Sequence, residues 1–251
     1  MKFDIVIPTK NEEKNIELLI NDIKKQTLQP QRIIVADKSK DKTAVVAKKL
    51  GAMVVEGVDD GYIGRGRNNG VKASSSQCVV FLDADVRIPN ESYFENIIRE
   101  FTDKKLDIAT TFVGIHDGNL LSPVFSNFYN FIKVIGAKTK NILSDSGTCM
   151  IVDTKSFKKV GGFNEEIKNS EDIELIQRFI KFGKRFDVIK YPIYTSARRF
   201  KNRNIFGLIA LILAAMTLTI IVRLNLKKMG KLQEKLENVY GELGGKAPDT
   251  K

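Results

Sequence analysis

The 251-residue chain is poor in the residues that build metal cages and redox centres, with two cysteines and one histidine. Cys78 and Cys149 lie far apart in apolar runs, with no CxxC and no Cys/His cluster, which excludes an ordinary zinc site. Both read as buried core residues, and their scarcity fits a reducing compartment. No signal peptide is expected from the opening residues. The start, MKFDIVIPTKNEE, turns polar after a few residues, so this part of the chain is expected to stay in the cytoplasm. No G-x-G-x-x-G follows the first apolar run, which removes the dinucleotide fingerprint of a dehydrogenase. There is no internal repeat and no low-complexity linker.

Acidic residues are absent between Val188 and Gln233. That stretch holds Lys190, Arg198, Arg199, Lys201, Arg203, Arg223, Lys227, Lys228 and Lys231, and so carries +9 of the formal +11. A basic protein can bind nucleic acid. Here the charge brackets an apolar run, IFGLIALILAAMTLTIIV over 205–222, which points to lipid headgroups rather than to DNA.

What is present suits one α/β domain, expected over 1–200, with a 43% hydrophobic composition sufficient for a core. Short apolar runs at Phe3–Ile7, Arg32–Ala36, Met53–Val55 and Val79–Leu82 predict strands. Asn11–Lys25, with Ile16, Leu19, Ile20 and Ile23 at helical spacing, and Lys42–Leu50 predict helices between them. Strands without polar alternation, separated by helices, argue for a largely parallel sheet covered on both faces. Further on, Asp107–Val113, Cys149–Val152 and Arg185–Ile189 read as strands, Pro123–Ile135 and Ile173–Phe182 as helices. Residues 201–251 would add a hydrophobic helix over 205–222 and an amphipathic tail whose Met229, Leu232, Leu236, Val239 and Leu243 are spaced three and four apart.

Open parallel sheets bind ligands at the carboxyl ends of their strands. Four polar or Gly-rich segments are expected there: Pro8-Thr9-Lys10-Asn11-Glu12, Asp37–Thr43, Gly64–Gly70 and Asp83-Ala84-Asp85. Two carboxylates leaving a buried strand together can hold a hard cation shared with substrate phosphates, or can merely shape a turn. Coming after FL and before Pro89, the cation reading is preferred. Gly64–Gly70 is either a phosphate loop of no standard pattern or a basic helix start. Asp37–Thr43 taken alone is a turn leading to an N-cap. Glu171-Asp172 opens an apolar helix, as acids favoured there by the dipole or as a general base acting on an acceptor hydroxyl.

Together these motifs resemble family 2 of the inverting glycosyltransferases. The segments VIPTKNEEKNI, VADKSKDKT, GRGRNNGVKAS, VVFLDADV, SGTCMIV…VGGFNE and NSEDIELIQRFIKFG come in family order and cover about residues 3 to 183. The resemblance implies a GT-A fold, a Rossmann-like mixed, mainly parallel sheet with helices on both faces. It implies that Pro8, Thr9, Asn11, Glu12 and Asp37 line the nucleotide pocket and that Arg67 faces the base or diphosphate. Asp83 and Asp85 would border the diphosphate, with Asp85 the more direct ligand of Mn²⁺ or Mg²⁺, and Asp172 would be the base with Glu171 beside it. The donor would be a nucleotide-diphospho-sugar.

One departure stands out. Many relatives carry a further His after the last strand, but His116 does not match that place. Arg198 and Arg199 stand there instead, to neutralise a leaving diphosphate or to touch lipid headgroups. The apolar run suggests a lipid-linked or polyprenyl phosphate acceptor and a site at the cytoplasmic face of the cell membrane. A core helix or an oligomer interface is the other reading of 205–222, and the tail seam could pair subunits. Two other functions share such a fold: a nucleotidyltransferase, whose Gly- and Arg-rich N-terminal loop is not seen here, and a non-catalytic nucleotide-binding scaffold, against which the intact Asp83, Asp85 and Asp172 argue.

Overall fold

A computed structural model describes residues 1–58, 61–118, 120, 122–140 and 147–197. The chain opens with β1 (Phe3–Thr9), α1 (Glu13–Lys24), β2 (Ile33–Asp37), α2 (Thr43–Lys49) and β3 (Met53–Glu56). Next come α3 (Ile63–Lys72), β4 (Cys78–Leu82), β5 (Val86–Arg87), α4 (Tyr93–Asp103) and β6 (Ile108–Ile115). It continues with α5 (Ser122–Thr139), β7 (Cys149–Asp153), α6 (Thr154–Lys159), α7 (Glu171–Lys181) and β8 (Phe186–Thr195). The eight strands form one sheet in the order β3-β2-β1-β4-β7-β6-β8-β5. β1 pairs in parallel with β2 and β4, β2 with β3, and β6 with β8, while β7 runs antiparallel to both β4 and β6.

Alternation decides which face each residue serves. Phe3, Ile5 and Ile7 of β1 join Cys78, Val80 and Leu82 of β4 in a core closed by α1 and α4. Val6, Val79 and Phe81 point the other way, into a core with Phe157, Phe163, Ile176 and Phe179. Both faces of β1 and β4 are covered, so these strands are largely apolar, with Asp4 the buried exception in β1. Phe81 meets the Phe163 ring edge-on at 5.2 Å, a pairing that contributes about 0.5–1.5 kcal/mol beyond area burial. Cys78 and Cys149 are free and buried as expected, and burial pushes the Cys149 thiol up to about 11.

Two features of the topology place the site. Successive strands run outward from β1 through β2 to β3, and β4 then returns to the other flank of β1. The strand order therefore reverses between β1 and β4, and a crevice opens at their carboxyl ends. Only Asp83–Asp85 separate β4, in the middle of the sheet, from β5 at its far edge. A chain reaches about 3.3–3.6 Å per residue, so so short a link requires the sheet to curl. The curl brings β8 round to the same place, with Thr195 opposite Val86.

The structure departs from expectation at several elements. Gly64–Gly70, grouped with the strand-end loops, lies inside α3. Its glycines serve packing: a Cβ on Gly70 would stand 2.3 Å from Val6 Cγ1. β8 continues to Thr195, well past Ile189. The short β5 and α6 carry no periodicity long enough to be read. Residues 201–251, including the apolar run 205–222 and the tail seam, lie outside the described residues, as do Arg198 and Arg199. Among the described residues, no helix is long and apolar enough to cross a membrane.

Candidate active site

The loops after β1 and β2 are stitched into one wall. Thr9 Oγ1 and Ser39 Oγ each donate to Asp37 Oδ1 at 2.6 Å. Asn11 adopts the left-handed conformation, at φ 57°, which Asn tolerates better than most residues. That turn lets its backbone N–H donate to Ser39 Oγ at 2.7 Å while its Oδ1 accepts from the Lys40 N–H at 2.9 Å. The Glu12 N–H donates to Thr43 Oγ1 at 2.9 Å. Asp41 lies one residue before the N-cap Lys42 of α2 and accepts from the N–H of Thr43 at 2.9 Å. Burial opposes ionisation of Asp41, but the Thr43 hydroxyl and the N–H groups of Thr43 and Glu13 outweigh it and hold the carboxyl below its usual range.

This wall bounds a cleft of about 300 Å³ lined by Pro8, Thr9, Glu12, Tyr62, Asp83 and Asp85, among others. Five of the residues singled out in the sequence therefore meet in one cavity at the switch point. Asn11 and Asp37 do not line it; they hold the loops that do. Sequence reasoning missed Tyr62, whose ring lies 4.3 Å below the Arg65 guanidinium. An aromatic just before a glycine-rich helix was the available signal. A larger hollow of about 560 Å³ lies between the segment after α6 and the flank of α7. Its charged lining is largely spent on itself, with Arg178 paired to Glu174 at 2.6 Å and Asn68 to Glu165 at 2.9 Å. Position at the strand ends and the two convergent aspartates favour the smaller cleft.

Arg67 links the cleft to α7. It is 3% exposed, and its guanidinium donates to Glu171 Oε1 at 2.6 Å and to Asp83 Oδ1 at 3.0 Å. Burial opposes its charge, yet the carboxylates of Glu171, Asp83 and Asp172 prevail and hold its pKa above the ordinary arginine value. The guanidinium is thus turned toward protein carboxylates, whereas the sequence reading had it facing the nucleotide. Gly147 passes so close that a Cβ there would lie 2.9 Å from Arg67 Nη2. Its N–H donates to Asp172 Oδ2 at 2.5 Å. Asp172 and Glu171 open α7, where the helix dipole favours negative charge. Two residues, Gly147 and Arg67, therefore stand between the candidate base and Asp83 at the candidate metal edge.

Among the described residues, no three His, Cys, Asp or Glu side chains form a ready metal cage. Asp83 and Asp85 offer two carboxylates at the cleft, the number with which Mg²⁺ or Mn²⁺ is commonly bound when phosphate oxygens and water complete the shell. A divalent cation fits that edge. Arg67 engages one oxygen of Asp83 at 3.0 Å, and Asp85 lies beside Asp83 in the lining of the cleft. His116 Nδ1 sits 3.8 Å from Asp117, and its backbone N–H donates to the Thr195 carbonyl at 3.1 Å. Asp117 accepts from Ser196 Oγ at 3.1 Å and from the N–H of Ala197, and so fixes the end of β8.

Comparison with known proteins agrees with this architecture. Residues 4–161 match the family described as glycosyl transferase family 2. The chain is 28% identical over 148 residues to a 4,4'-diaponeurosporenoate glycosyltransferase of Staphylococcus haemolyticus, across 57% of this chain and 40% of that protein. The Staphylococcus aureus counterpart is 30% identical over 149 residues, with the same coverage. The chain thus spans about 40% of the length of these curated relatives. Among solved structures, the mannosyltransferase PcManGT of Pyrobaculum calidifontis, in complex with GDP-Man and Mn²⁺, superposes with a TM-score of 0.71 at 16% identity, over 96% of this chain and 69% of that one. Staphylococcus aureus TarS superposes at 0.62 with 21% identity, over 97% of this chain and 48% of that one. At such identities the likeness establishes the fold, a GT-A arrangement, as the sequence led one to expect.

Proposed function

Since this chain belongs to glycosyl transferase family 2, we propose that it transfers a sugar, with inversion, from a UDP- or GDP-linked donor to a lipid-linked or polyprenyl phosphate acceptor at the cytoplasmic face of a membrane. The observation that carries the reading is the convergence of Asp83 and Asp85 on the cleft between β1 and β4, with Asp172 reached through Arg67 and Gly147. In solved structures of similar fold, partners include GDP-Man with Mn²⁺ and UDP with Mn²⁺, which supports a nucleotide sugar and a divalent cation here. The lipid acceptor draws support from the apolar run 205–222 with its basic flanks, and from relatives named for 4,4'-diaponeurosporenoate.

The roles follow from chemistry. The wall built by Thr9, Asp37 and Asn11 holds the nucleotide. Asp83 and Asp85 would hold a divalent cation, which would supply positive charge to the departing diphosphate. Asp172 accepts the proton of an acceptor hydroxyl as that oxygen bonds to the anomeric carbon and the bond to the diphosphate breaks. An acceptor phosphate would arrive ionised and ask little of Asp172. Arg67 positions both carboxylate sets.

The test is a panel of nucleotide sugars incubated with the full chain, Mn²⁺ or Mg²⁺ and membrane lipid extract. Release of nucleoside diphosphate together with glycosylated lipid is expected. Release of pyrophosphate would instead indicate a nucleotidyltransferase, and thermal stabilisation by a donor without turnover would favour a nucleotide-binding scaffold.

A further inference from the structure

Helix α5 is built inside out. It turns Ser126, Asn130, Lys133 and Gly136 inward, all buried. The reason lies in β6, whose pairing with β8 slips between Thr111 and Phe112. Near that irregularity Asn130 takes over, accepting from the Val113 N–H at 2.9 Å and donating to the Val113 carbonyl at 3.0 Å. Lys133 Nζ, 1% exposed, donates to the Thr111 carbonyl at 2.7 Å. Polar side chains therefore face the sheet because backbone groups there need them.

The outward side is apolar. Val124, Phe128, Phe131 and Ile135 follow one another at intervals of four, three and four residues and are 67%, 54%, 60% and 45% exposed. Burying such side chains is favourable, so a stripe of them in water marks a surface meant for a partner. What the partner is follows from the chain beyond α5. Asp117, just before the helix, binds Ser196 and Ala197, so the described chain ends at the N-terminal side of α5. Residues 198–204 alone separate that point from Ile205, a tether of at most roughly 25 Å. They include Arg198, Arg199, Lys201 and Arg203 and no acid. The run 205–222 is apolar around its whole circumference if helical, so packing on α5 would cover one side of it and leave the other bare. A bilayer covers both. Exposed Lys138 and Lys140 at the far end of α5 add further cations for anionic headgroups.

We infer that the outward face of α5 lies in the interface of an anionic lipid bilayer. The inference rests on the membrane reading above and adds a second contact to it. Two contacts fix an orientation where one would leave the domain free to swing. The cleft lies near the same end, because Thr195 pairs beside Asp85, so the site is held toward the lipid surface.

The experiment uses the full chain in vesicles of phosphatidylcholine and phosphatidylglycerol. Cys78 and Cys149 are buried, so a nitrobenzoxadiazole label goes to an introduced thiol. The variants are Phe131→Cys and Val124→Cys on α5, and Lys49→Cys on α2 as control. At both α5 positions, blue-shifted emission and loss of most intensity to nitroxide-bearing lipids are expected, with neither at Lys49→Cys. Vesicle-bound protein whose α5 labels escape the nitroxide lipids would overturn the inference and leave the membrane reading standing; 205–222 or a second copy would then cover the face. Protein that fails to associate with vesicles at all would overturn both.

Discussion

The Arg67 guanidinium spans Glu171 and Asp83, at 2.6 Å and 3.0 Å, so one buried side chain joins the end of β4 to the start of α7. The ring of Phe163 closes over it, with its centroid 5.4 Å from the guanidinium carbon. Removing one member of such a buried pair strands the other in low dielectric.

Arg67→Met should therefore destabilise the fold by about 3–5 kcal/mol, because Glu171 is left buried and uncompensated. Denaturant titration measures this. The double variant Arg67→Met/Glu171→Gln should recover part of the loss, and Arg67→Lys should fall between, since an ammonium cannot fork to two carboxylates. A single variant as stable as wild type would show that the pair contributes nothing to the fold.

Much of this was legible in the sequence, and what was not has physical causes. The strands from β1 to β4 could be read because the central ones are covered on both faces and most of their positions are apolar, Asp4 being a buried exception. Asp83 and Asp85 could be read because two acids interrupt a wholly buried strand's exit. The partnership of Arg67 with Glu171 spans 104 positions and leaves no local pattern. Helix α3 was obscured by Gly64, Gly66 and Gly70, residues of low helix propensity that tertiary packing rewards. β8 was cut short at Ile189 because Pro192 reads as a strand breaker. Lys190 and Tyr191 are taken up as the register slips, with Thr111 facing Ile189 and Phe112 facing Pro192. Pro123–Ile135 reads as a helix, but its aromatic content does not tell which side is covered, and Phe128 and Phe131 are exposed.

Asp107 gives a pH prediction. Burial opposes its ionisation, but the Ser156 hydroxyl, the Arg185 N–H and the Lys184 ammonium outweigh that and hold its carboxyl below the ordinary range. A depressed folded-state pKa contributes stability that is present above the unfolded value, near 3.8, and is lost as pH falls through the folded value. The wild type should lose stability on acidification below about pH 4, and Asp107→Asn should show a shallower slope in that window. Equal slopes in acid denaturation curves would refute the assignment.

Asp85 and Asp172 should separate kinetically. Asp85→Asn deletes charge while keeping shape, and should abolish most activity and weaken donor binding in Mn²⁺. Chelation by EDTA should mimic it in the wild type, with activity restored by Mn²⁺ or Mg²⁺. Asp172→Asn should leave donor binding nearly unchanged and lower turnover on a hydroxyl acceptor by about 10²–10⁴-fold. Loss of donor affinity alone in Asp172→Asn would move that residue to the binding wall, and full activity in EDTA would remove the cation.

The last prediction concerns Arg198 and Arg199. Val86 pairs with Thr195 and Arg87 with Tyr194, so the antiparallel register carries β8 past Asp85 as the strand ends. Asp117 then fixes Ser196 and Ala197, one residue before Arg198. The chain is thereby delivered to the cleft just where two guanidiniums follow in sequence, suited to the oxygens of a leaving diphosphate. If they serve it, Arg198→Ala and Arg199→Ala should weaken nucleoside diphosphate binding in detergent, where no lipid surface competes, and calorimetry reads this directly. If they serve headgroups, detergent affinity should match wild type while binding to anionic vesicles falls and becomes less dependent on salt. Because Asp117 anchors the segment, Asp117→Asn should echo the first pattern by loosening the delivery, and should leave vesicle binding intact. Wild-type nucleotide affinity in all three variants would exclude the end of β8 from the donor site.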